Sequence, residues 1–295
     1  MAREEKIVIA IAALSTACVV AWIFREHATS LHVERRTISE ASSTSPVKRG
    51  STEPEADTTQ GIPSSEFTRN GKAFVLTESY SAPKGKAVDV IRSLTADAER
   101  GDARAAFDIY LKLTSCHSRL NTKVDDEARE RYRAAGIERS VMESAEGAFE
   151  DCSGLTPEQN RAAGRWLEAA ADNGFLVAQL SYAANPDPVI GNASEMLRSP
   201  DAVKRYKAKA VQYLRSAAST GSVDALEALG NAYRSGILID RDLTKGYAYY
   251  YAANLAYPSG QATQFLSRYA QALTADQVAT GTRQGKEIYE QCCAP

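Results

Sequence analysis

Apolar residues recur with the period of a helix in the C-terminal half of the chain. Between positions 203 and 217 these residues are Val203, Tyr206, Ala210, Tyr213, Leu214 and Ala217. This spacing gathers them on one stripe of an α-helix, which would be buried against a neighbouring element. The basic residues that fall mostly outside the stripe are Lys204, Arg205, Lys207 and Lys209. We interpret them as a solvated face, and contact with an acidic partner is the alternative.

The same helical pattern belongs to a unit that is repeated along the chain. In the clearest copy, residues 213–254, Gly221 separates two helices that carry small residues on their packing faces. The spacing recurs upstream at Trp166, Ala170, Ala171, Gly174 and Ala178, and more faintly at Ala98, Gly101 and Ala105. A further copy begins at Ala252, with Ala256 in the place of the glycine. This recurrence predicts an array in which each helical pair buries its apolar face against its neighbours.

Residues 213–254 resemble one unit of the Sel1-like branch of the tetratricopeptide superfamily, through Ala217, Gly221, Gly230 and Tyr233. The resemblance extends over roughly residues 86–291. It implies an all-α fold, an irregular α-solenoid of helix–turn–helix repeats, in a domain at 71–295 that binds other macromolecules. Positions 121–152 and 185–200 interrupt the spacing and are predicted to be insertions.

A long apolar run lies close to the N-terminus. Ile7 to Phe24 contains only Ser15 and Thr16 as polar residues, and its length is just sufficient to cross a bilayer as a helix. We predict a transmembrane signal anchor at 7–24, preceded by a short tail at 1–6. A cleaved signal peptide is one alternative, although the run continues past Ala17 without an obvious cleavage site. A lipoprotein signal at Cys18 is another, with Ser15 where leucine is usual.

The segment that follows has the composition of a tether. Residues 25–70 are rich in Ser, Thr, Glu and Pro and show no apolar periodicity. Such a segment cannot bury enough apolar surface to offset its ordering entropy, so we predict a disordered linker. A flexible chain of this length reaches roughly 35 Å, which would hold the domain clear of the lipid.

Cysteine usage suggests the compartment. Four cysteines lie outside the apolar run: Cys116, Cys152, Cys292 and Cys293. An even count suits an oxidising compartment, whereas the basic residues near the two ends of the run are balanced and do not decide its orientation. We therefore predict a single-pass protein of the inner (plasma) membrane, with its repeat domain in the periplasm.

A disulfide between Cys116 and Cys152 is predicted to close a helical hairpin whose second part is one long helix from about position 124 to 150. Both cysteines could instead be free core residues, or each could pair with Cys292 or Cys293. A bond between the adjacent Cys292 and Cys293 would strain the intervening peptide. An exposed thiol or an intermolecular bridge at the C-terminus is equally open.

The sequence offers little for catalysis. A net charge of −2 argues against a general nucleic-acid binder. His117 is the only histidine of the predicted domain, so we expect no metal site. Carboxylates at helical spacing among arginines are predicted to form a solvated, ion-paired face: Asp125, Asp126, Glu143, Glu146, Glu150 and Asp151. We expect no catalytic residue and no cofactor.

The function left by these exclusions is the binding of a partner. Repeat solenoids usually bind through polar or aromatic residues on their concave face. In the clearest repeat, the packing positions leave Asp224, Glu227, Asn231 and Arg234 free. We predict that Glu227, Asn231 and Arg234 contact the partner. We expect the nearby tyrosines mostly to pack, and we allow one of the four to be exposed and functional: Tyr247, Tyr249, Tyr250 and Tyr251.

Together these features predict a membrane-tethered, noncatalytic scaffold of the cell envelope that binds a protein or peptide. The alternative is a binder of cell-wall fragments or other small ligands, and a hydrolase comes third. A long open trough would favour a peptide, whereas a closed pocket of acidic and aromatic side chains would favour a small ligand.

Overall fold

The computed structural model describes residues 67–77, 79–121 and 125–294. The predicted N-terminal tail, the apolar run Ile7 to Phe24 and positions 25–66 of the predicted linker lie outside the described residues. Within those ranges, no helix is long and apolar enough to cross a membrane.

The described part of the chain is helical, with one two-stranded antiparallel sheet. The strands are β1 (Phe67–Asn70) and β2 (Ala73–Leu76). The helices are α1 (Ala87–Glu99), α2 (Ala103–Asn121), α3 (Asp126–Ala134), α4 (Glu138–Cys152), α5 (Pro157–Arg161), α6 (Ala163–Asp172), α7 (Leu176–Ala184), α8 (Asp187–Ile190), α9 (Ala193–Arg198), α10 (Pro200–Ser219), α11 (Val223–Ser235), α12 (Leu243–Ala256), α13 (Gly260–Ala270) and α14 (Ala275–Cys292).

Three helix pairs share the same turn: α1 with α2, α6 with α7, and α10 with α11. In each pair, the second residue after the first helix is a glycine with positive φ, namely Gly101 at 99°, Gly174 at 81° and Gly221 at 96°. Glycine adopts this conformation without the steric penalty that a Cβ would bring. The glycines that mark the repeat in the sequence therefore mark the turns of an irregular α-solenoid.

Successive pairs pack against each other along the array. Helix α2 contacts α6, α7 contacts α10, and α11 contacts α12. Fully buried alanines lie in the pairs: Ala106, Ala170, Ala178, Ala210 and Ala225. Because alanine adds little bulk, helices can approach closely there. Buried leucines fill the remaining space, namely Leu167, Leu214, Leu226 and Leu229, and each contributes about 1.5–3 kcal/mol.

A segment at the start of the domain, residues 67–77 and 79–86, lies across the repeats, and we call it the strap. At its first end, the β1–β2 hairpin packs Phe67 against Phe74, with ring centroids 5.4 Å apart. The Phe74 amide donates to the Gly221 carbonyl (3.0 Å), and Asn70 Nδ2 donates to the Ala256 carbonyl (2.8 Å). These contacts order β1, although its four residues fall within the range 25–70 that the sequence analysis assigns to the linker.

The other end of the strap lies on the first two repeats. The Tyr80 ring meets Phe107 and Phe175 edge-on, at centroid distances of 5.7 and 5.8 Å. The Pro83 carbonyl accepts a hydrogen bond from Nζ of the buried Lys112 (3.2 Å). The strap therefore joins units that are far apart in the sequence.

The first insertion differs from its prediction in one respect. The expected single helix between about 124 and 150 is two helices, α3 and α4, separated at Gly136, whose φ is +70°. A positive φ ends a helix because it turns the chain out of the helical path. Cys116 on α2 and Cys152 on α4 are bonded, with Cα atoms 5.5 Å apart, within the roughly 4.4–6.8 Å range of disulfides.

The C-terminal cysteines also differ from expectation. Cys292 and Cys293 are bonded to each other, with Cα atoms 3.7 Å apart. Both are buried, at 9% and 2% exposure, so neither is the exposed tail thiol that the sequence left open.

Glycines allow α14 to approach α12 closely. A Cβ on Gly285 would lie 2.6 Å from the Ala248 carbonyl oxygen, and one on Gly281 would lie 3.0 Å from the Thr244 carbonyl oxygen. The two glycines, four residues apart, therefore serve helix packing in the last unit.

Candidate binding site

A cleft of about 550 Å³ lies where α1, α2, α5 and α6 meet. Its apolar lining consists of Ile91, Leu113, Ala162 and Trp166. Its polar lining consists of Thr95, Glu158, Gln159, Arg161 and Arg165. The first two repeats therefore leave an amphipathic depression between their helices.

A second cleft, of about 410 Å³, continues from the first because Arg165 and Trp166 line both. Its other lining residues are Ala98, Glu99, Arg100, Gly101, Ala169 and Asn173. Both clefts open to solvent, and we call them together the Trp166 trough. An open shape of this kind favours an extended ligand over an enclosed small molecule.

Local sequence positions the wall of the trough. Thr156 begins α5 with a capping box: its hydroxyl accepts from the Gln159 amide, and the Gln159 side chain accepts from the Thr156 amide. Pro157 follows at the first helical position, where its missing amide costs nothing. The cap therefore fixes the short helix that brings Arg161 and Gln159 to the cleft.

Arg165 is the cation of the trough with unused hydrogen-bonding capacity. Its guanidinium carbon lies 4.6 Å from the Trp166 ring centroid, and it forms no ion pair with the described residues. By contrast, Arg161 pairs with Glu158 (3.3 Å) and Arg100 pairs with Asp97. A guanidinium held on an aromatic face can still donate to a carboxylate or a carbonyl.

The three residues predicted to contact the partner lie on α11. Glu227, Asn231 and Arg234 are all exposed, and their spacing of four and three residues places them on one face. Asn231 Oδ1 accepts a hydrogen bond from Arg234 Nη2 (3.0 Å). None of the three lines the Trp166 trough. Their contact with a partner stays a prediction.

Asp224 lies on the same face and is predicted from the sequence to be available to a partner, but its carboxylate already accepts a hydrogen bond from within the chain. Its Oδ2 accepts from the Leu76 amide of the strap (3.0 Å). Burial raises the pKa of the Asp224 carboxyl, and the bond from Leu76 opposes that rise. Desolvation by nearby protein also raises the pKa of Glu227, although the residue is exposed as a whole, and the Asp224 charge raises it further.

The tyrosines of α12 pack. Tyr247 is buried, and Tyr249, Tyr250 and Tyr251 are half-buried, so none is the exposed tyrosine that the sequence analysis allowed. Tyr250 contacts Phe265 at a centroid distance of 4.5 Å. Burial raises the pKa of Tyr250 to about 12, and the nearby Arg234 guanidinium opposes that rise.

The basic run of α10 is only partly a solvated face. Lys209 pairs with Glu168 and with Asp172 (2.9 Å) of α6. Tyr213 donates to the same Asp172 carboxylate (2.5 Å), and burial, followed by this bond, raises the pKa of the tyrosine. Lys209 thus links two neighbouring repeats, because the helices bring side chains about forty residues apart into contact.

The acidic residues of the first insertion divide into two groups. Of the acidic residues named from the sequence, Asp126 pairs with Arg129 (3.9 Å) and Asp151 with Arg119 (3.5 Å), as predicted, whereas Asp125 caps α3. Glu127 and Glu130 of α3 also pair, with Arg131 (2.9 Å) and Arg133 (2.6 Å). On α4, the acidic residues without an ion pair to the described residues are Glu143, Glu146 and Glu150. The ion-paired face therefore covers only part of the insertion.

The described residues contain no group of three or more His, Cys, Asp or Glu side chains that could hold a metal ion. His117 is exposed, and its Nδ1 lies 3.2 Å from Asn121 Nδ2.

Sequence reasoning missed the Trp166 trough. The repeat spacing predicts only a packing role for Trp166, and the residue does pack, being 5% exposed. The one available signal is the arginine that precedes it, because a cation beside a tryptophan favours stacking. The opposite wall comes from α1, about seventy residues upstream, and no local pattern indicates it.

Comparison with known proteins finds a similarity to a solved structure. No protein-family model matches the chain, and no curated protein matches it significantly. The chain is similar to a crystal structure of c5321, "a protective antigen present in uropathogenic Escherichia coli strains displaying an SLR fold". The identity is 18%, the TM-score is 0.28, and the match covers 70% of this chain and 52% of that chain. The chain thus spans about half the length of a Sel1-like repeat protein, the kind that its sequence resembles. An overlap this low says nothing about activity or partner.

Proposed function

We propose that this protein is a noncatalytic helical-repeat scaffold that binds a protein or peptide partner. The observation that carries the proposal is the Trp166 trough, which is open, has both apolar and polar lining residues, and is lined in both clefts by Arg165, a cation with no ion pair to the described residues. An extended segment can lie along the open trough beside the partly buried Ala162 while its polar atoms meet Arg165.

The chemistry of Arg165 favours a carboxylate in the bound segment. A guanidinium forms stronger hydrogen bonds with a carboxylate than with a neutral carbonyl, because both partners are charged. Stacking on Trp166 also fixes its orientation, which reduces the entropy lost on binding. We therefore expect an acidic side chain or a chain-terminal carboxylate in the trough.

Exchange of the Arg165 charge tests this function. We expect Arg165→Glu to reduce capture of the crosslinked partner from intact membranes by about tenfold or more, because it replaces attraction by repulsion. Arg205→Glu is the matched control, since Arg205 is exposed on α10 and lies outside the trough. Equal capture by the parent and by Arg165→Glu would remove the trough from the proposal.

Two other results would change the class of function. Turnover of a cell-wall or ester substrate that depends on a carboxylate would contradict the noncatalytic role. Arg165-dependent binding of a soluble cell-wall fragment, without a protein partner, would favour the small-ligand alternative.

The proposed setting is the cell envelope, with Ile7 to Phe24 as an inner-membrane anchor and the repeats in the periplasm. It is supported by the length of the apolar run and by the pairing of Cys116 with Cys152, which suits an oxidising compartment. The mass of the mature chain tests the anchor, and protease access tests the compartment. An intact N-terminus, with repeats cleaved only after the outer barrier is opened, is expected. A mature chain beginning near Ala17 or Cys18 would contradict it.

A further inference from the structure

Helix α4 presents a large apolar surface to solvent. Phe149 is 66% exposed and Met142 is 42% exposed, and with Ala145 they follow one face of the helix over two turns. A cleft of about 380 Å³ lies on this face, between Met142, Phe149 and the neighbouring acidic residues. An exposed apolar patch with a polar rim is typical of an interaction site. We call this surface the α4 face.

The rim of the α4 face is acidic and has spare charge. Glu146 and Glu150 line the cleft, Glu143 lies one turn from Glu146, and none of them forms an ion pair with the described residues. Arg139 lies one turn before Glu143 and is likewise unpaired. The acidic residues of α3 differ, because its own arginines neutralise them. The negative charge left on α4 is therefore available to a partner.

The α4 face is also held in place. Ala148 and Cys152 are buried on the stripe of the helix next to this face, and the bond to Cys116 joins α4 to α2. A fixed face loses little entropy on binding. Phe149, one turn before Cys152, can therefore act as an anchor.

We propose that the α4 face docks a helical segment of a partner protein that carries apolar anchors beside lysine or arginine residues. Two turns of apolar surface match anchors at i, i+3 and i+7 of such a segment, and the unpaired glutamates attract its basic residues. An anionic lipid surface is disfavoured because the glutamates would repel it. A second copy of the α4 face is disfavoured for the same reason.

The test uses the full chain and two synthetic peptides labelled with fluorescein. One is a helical peptide with leucines at i, i+3 and i+7 flanked by lysines, and the other has glutamates in place of the lysines. We expect the lysine peptide alone to bind, with an affinity that falls as salt is added. Glu146→Lys combined with Glu150→Lys should weaken binding about tenfold or more, as should Phe149→Ser.

The controls are exposed residues of the same types elsewhere. Leu197→Ser matches Phe149→Ser, and Glu287→Lys matches the charge exchange, since both residues are exposed and lie outside the α4 face. Neither should change the affinity. Arg165→Glu should not change it either, so failure of this site is distinguishable from failure of the Trp166 trough.

Several outcomes would overturn the proposal. Equal binding of both peptides, or equal binding by the parent and the charge-exchanged chain, excludes the acidic rim. Sedimentation that shows a dimer dissociated by Phe149→Ser assigns the surface to a second copy. Binding to phosphatidylglycerol vesicles that is lost in Phe149→Ser assigns it to lipid. Displacement of the peptide by the chain's own segment 1–25 assigns it to the N-terminus.

Discussion

Gly221 is the residue at which the repeats and the strap meet. It ends the turn between α10 and α11 at a φ of +96°, and a Cβ there would lie 2.4 Å from the Lys72 carbonyl oxygen. Gly85 has nearly the same φ, +98°, but a Cβ there would meet nothing within 4 Å. Substitution of Gly85 therefore measures the cost of backbone strain alone, whereas substitution of Gly221 adds the cost of the collision with the strap.

We expect Gly85→Ala to lower the free energy of unfolding by about 1–2 kcal/mol, the usual penalty of a left-handed conformation for a residue with a Cβ. Gly221→Ala should lower it by about 1–3 kcal/mol more, because the strap must move. Urea unfolding of both variants measures the difference. Equal losses would mean that the strap does not press on this turn.

Glu227 provides a pH-dependent prediction. Its raised pKa means that the folded chain holds the proton more tightly than the unfolded chain. The free energy of unfolding should therefore fall as pH rises from the ordinary pKa of the carboxyl through its folded value. Glu227→Gln removes this loss. The free energy of unfolding of the variant, relative to that of the parent, should therefore be higher at about pH 7 than at about pH 4. The gain should stay below about 1 kcal/mol because solvent screens an exposed residue.

Asn231→Ala is the matched control for that measurement, since it changes a group on the same face that does not titrate. Its effect on the free energy of unfolding should be independent of pH. A gain for Glu227→Gln that is equally large at both pH values would contradict the assigned cause.

The structural role of a residue can be predicted from the sequence where that role depends on neighbouring residues in the chain. Gly101 and Gly221 could be assigned because a turn with positive φ nearly always requires glycine. Asp224 could not, because its partner is a backbone amide of the strap 148 positions away. The ion pairs of Lys209 could not be predicted either, because its carboxylate partners lie on another repeat.

At the scale of elements, the helices of the repeats follow the apolar period, but the strap and the break in the first insertion do not. The strap is ordered by contacts such as Tyr80 on Phe107 and Phe175, which the polar sequence before it conceals. The break falls at Gly136, where the surrounding Glu and Arg residues have high helix propensity. A pattern of propensities is therefore insufficient where one glycine redirects the chain.

The disulfide between Cys116 and Cys152 should stabilise the insertion as an element. It closes a loop across 36 positions, for which the chain-entropy model gives about 4 kcal/mol. We expect Cys116→Ser combined with Cys152→Ser to lower the free energy of unfolding by up to that amount. Urea unfolding measures the loss. Peptide mapping without reductant should find the two cysteines in one linked fragment, and separate fragments would contradict the bridge.

On the exposed face of α11, we predict that substitutions weaken binding of the partner but leave the stability of the fold nearly unchanged. Replacing Glu227, Asn231 and Arg234 together by Ala should weaken partner capture, because these side chains supply charge and hydrogen bonds on an exposed face. Stability should change by less than about 0.5 kcal/mol per position. Arg205, Gln212 and Ser216, also exposed, provide a control triple on α10. Unchanged capture by the α11 variant would remove this face from the binding surface.

At the scale of the whole molecule, helical pairs are stacked into an array, and the strap crosses them. The Trp166 trough exists only because α1 and α6 come from successive repeats. The fold class could be predicted from periodicity, since each repeat carries the same local signal. The trough could not, because its two walls are set by the register between repeats, which the uneven spacing of the insertions leaves undetermined.

Site-specific photocrosslinking tests the central claim most directly, that the trough holds a partner. A benzophenone amino acid in place of Glu99, an exposed residue of the trough, should give a discrete adduct in intact cells. The same group in place of Gln212, exposed on α10 and outside the trough, should not. The adduct from position 99 should disappear when Arg165→Glu is added. Adducts of equal yield from both positions, or an adduct that survives the charge exchange, would contradict binding in the trough.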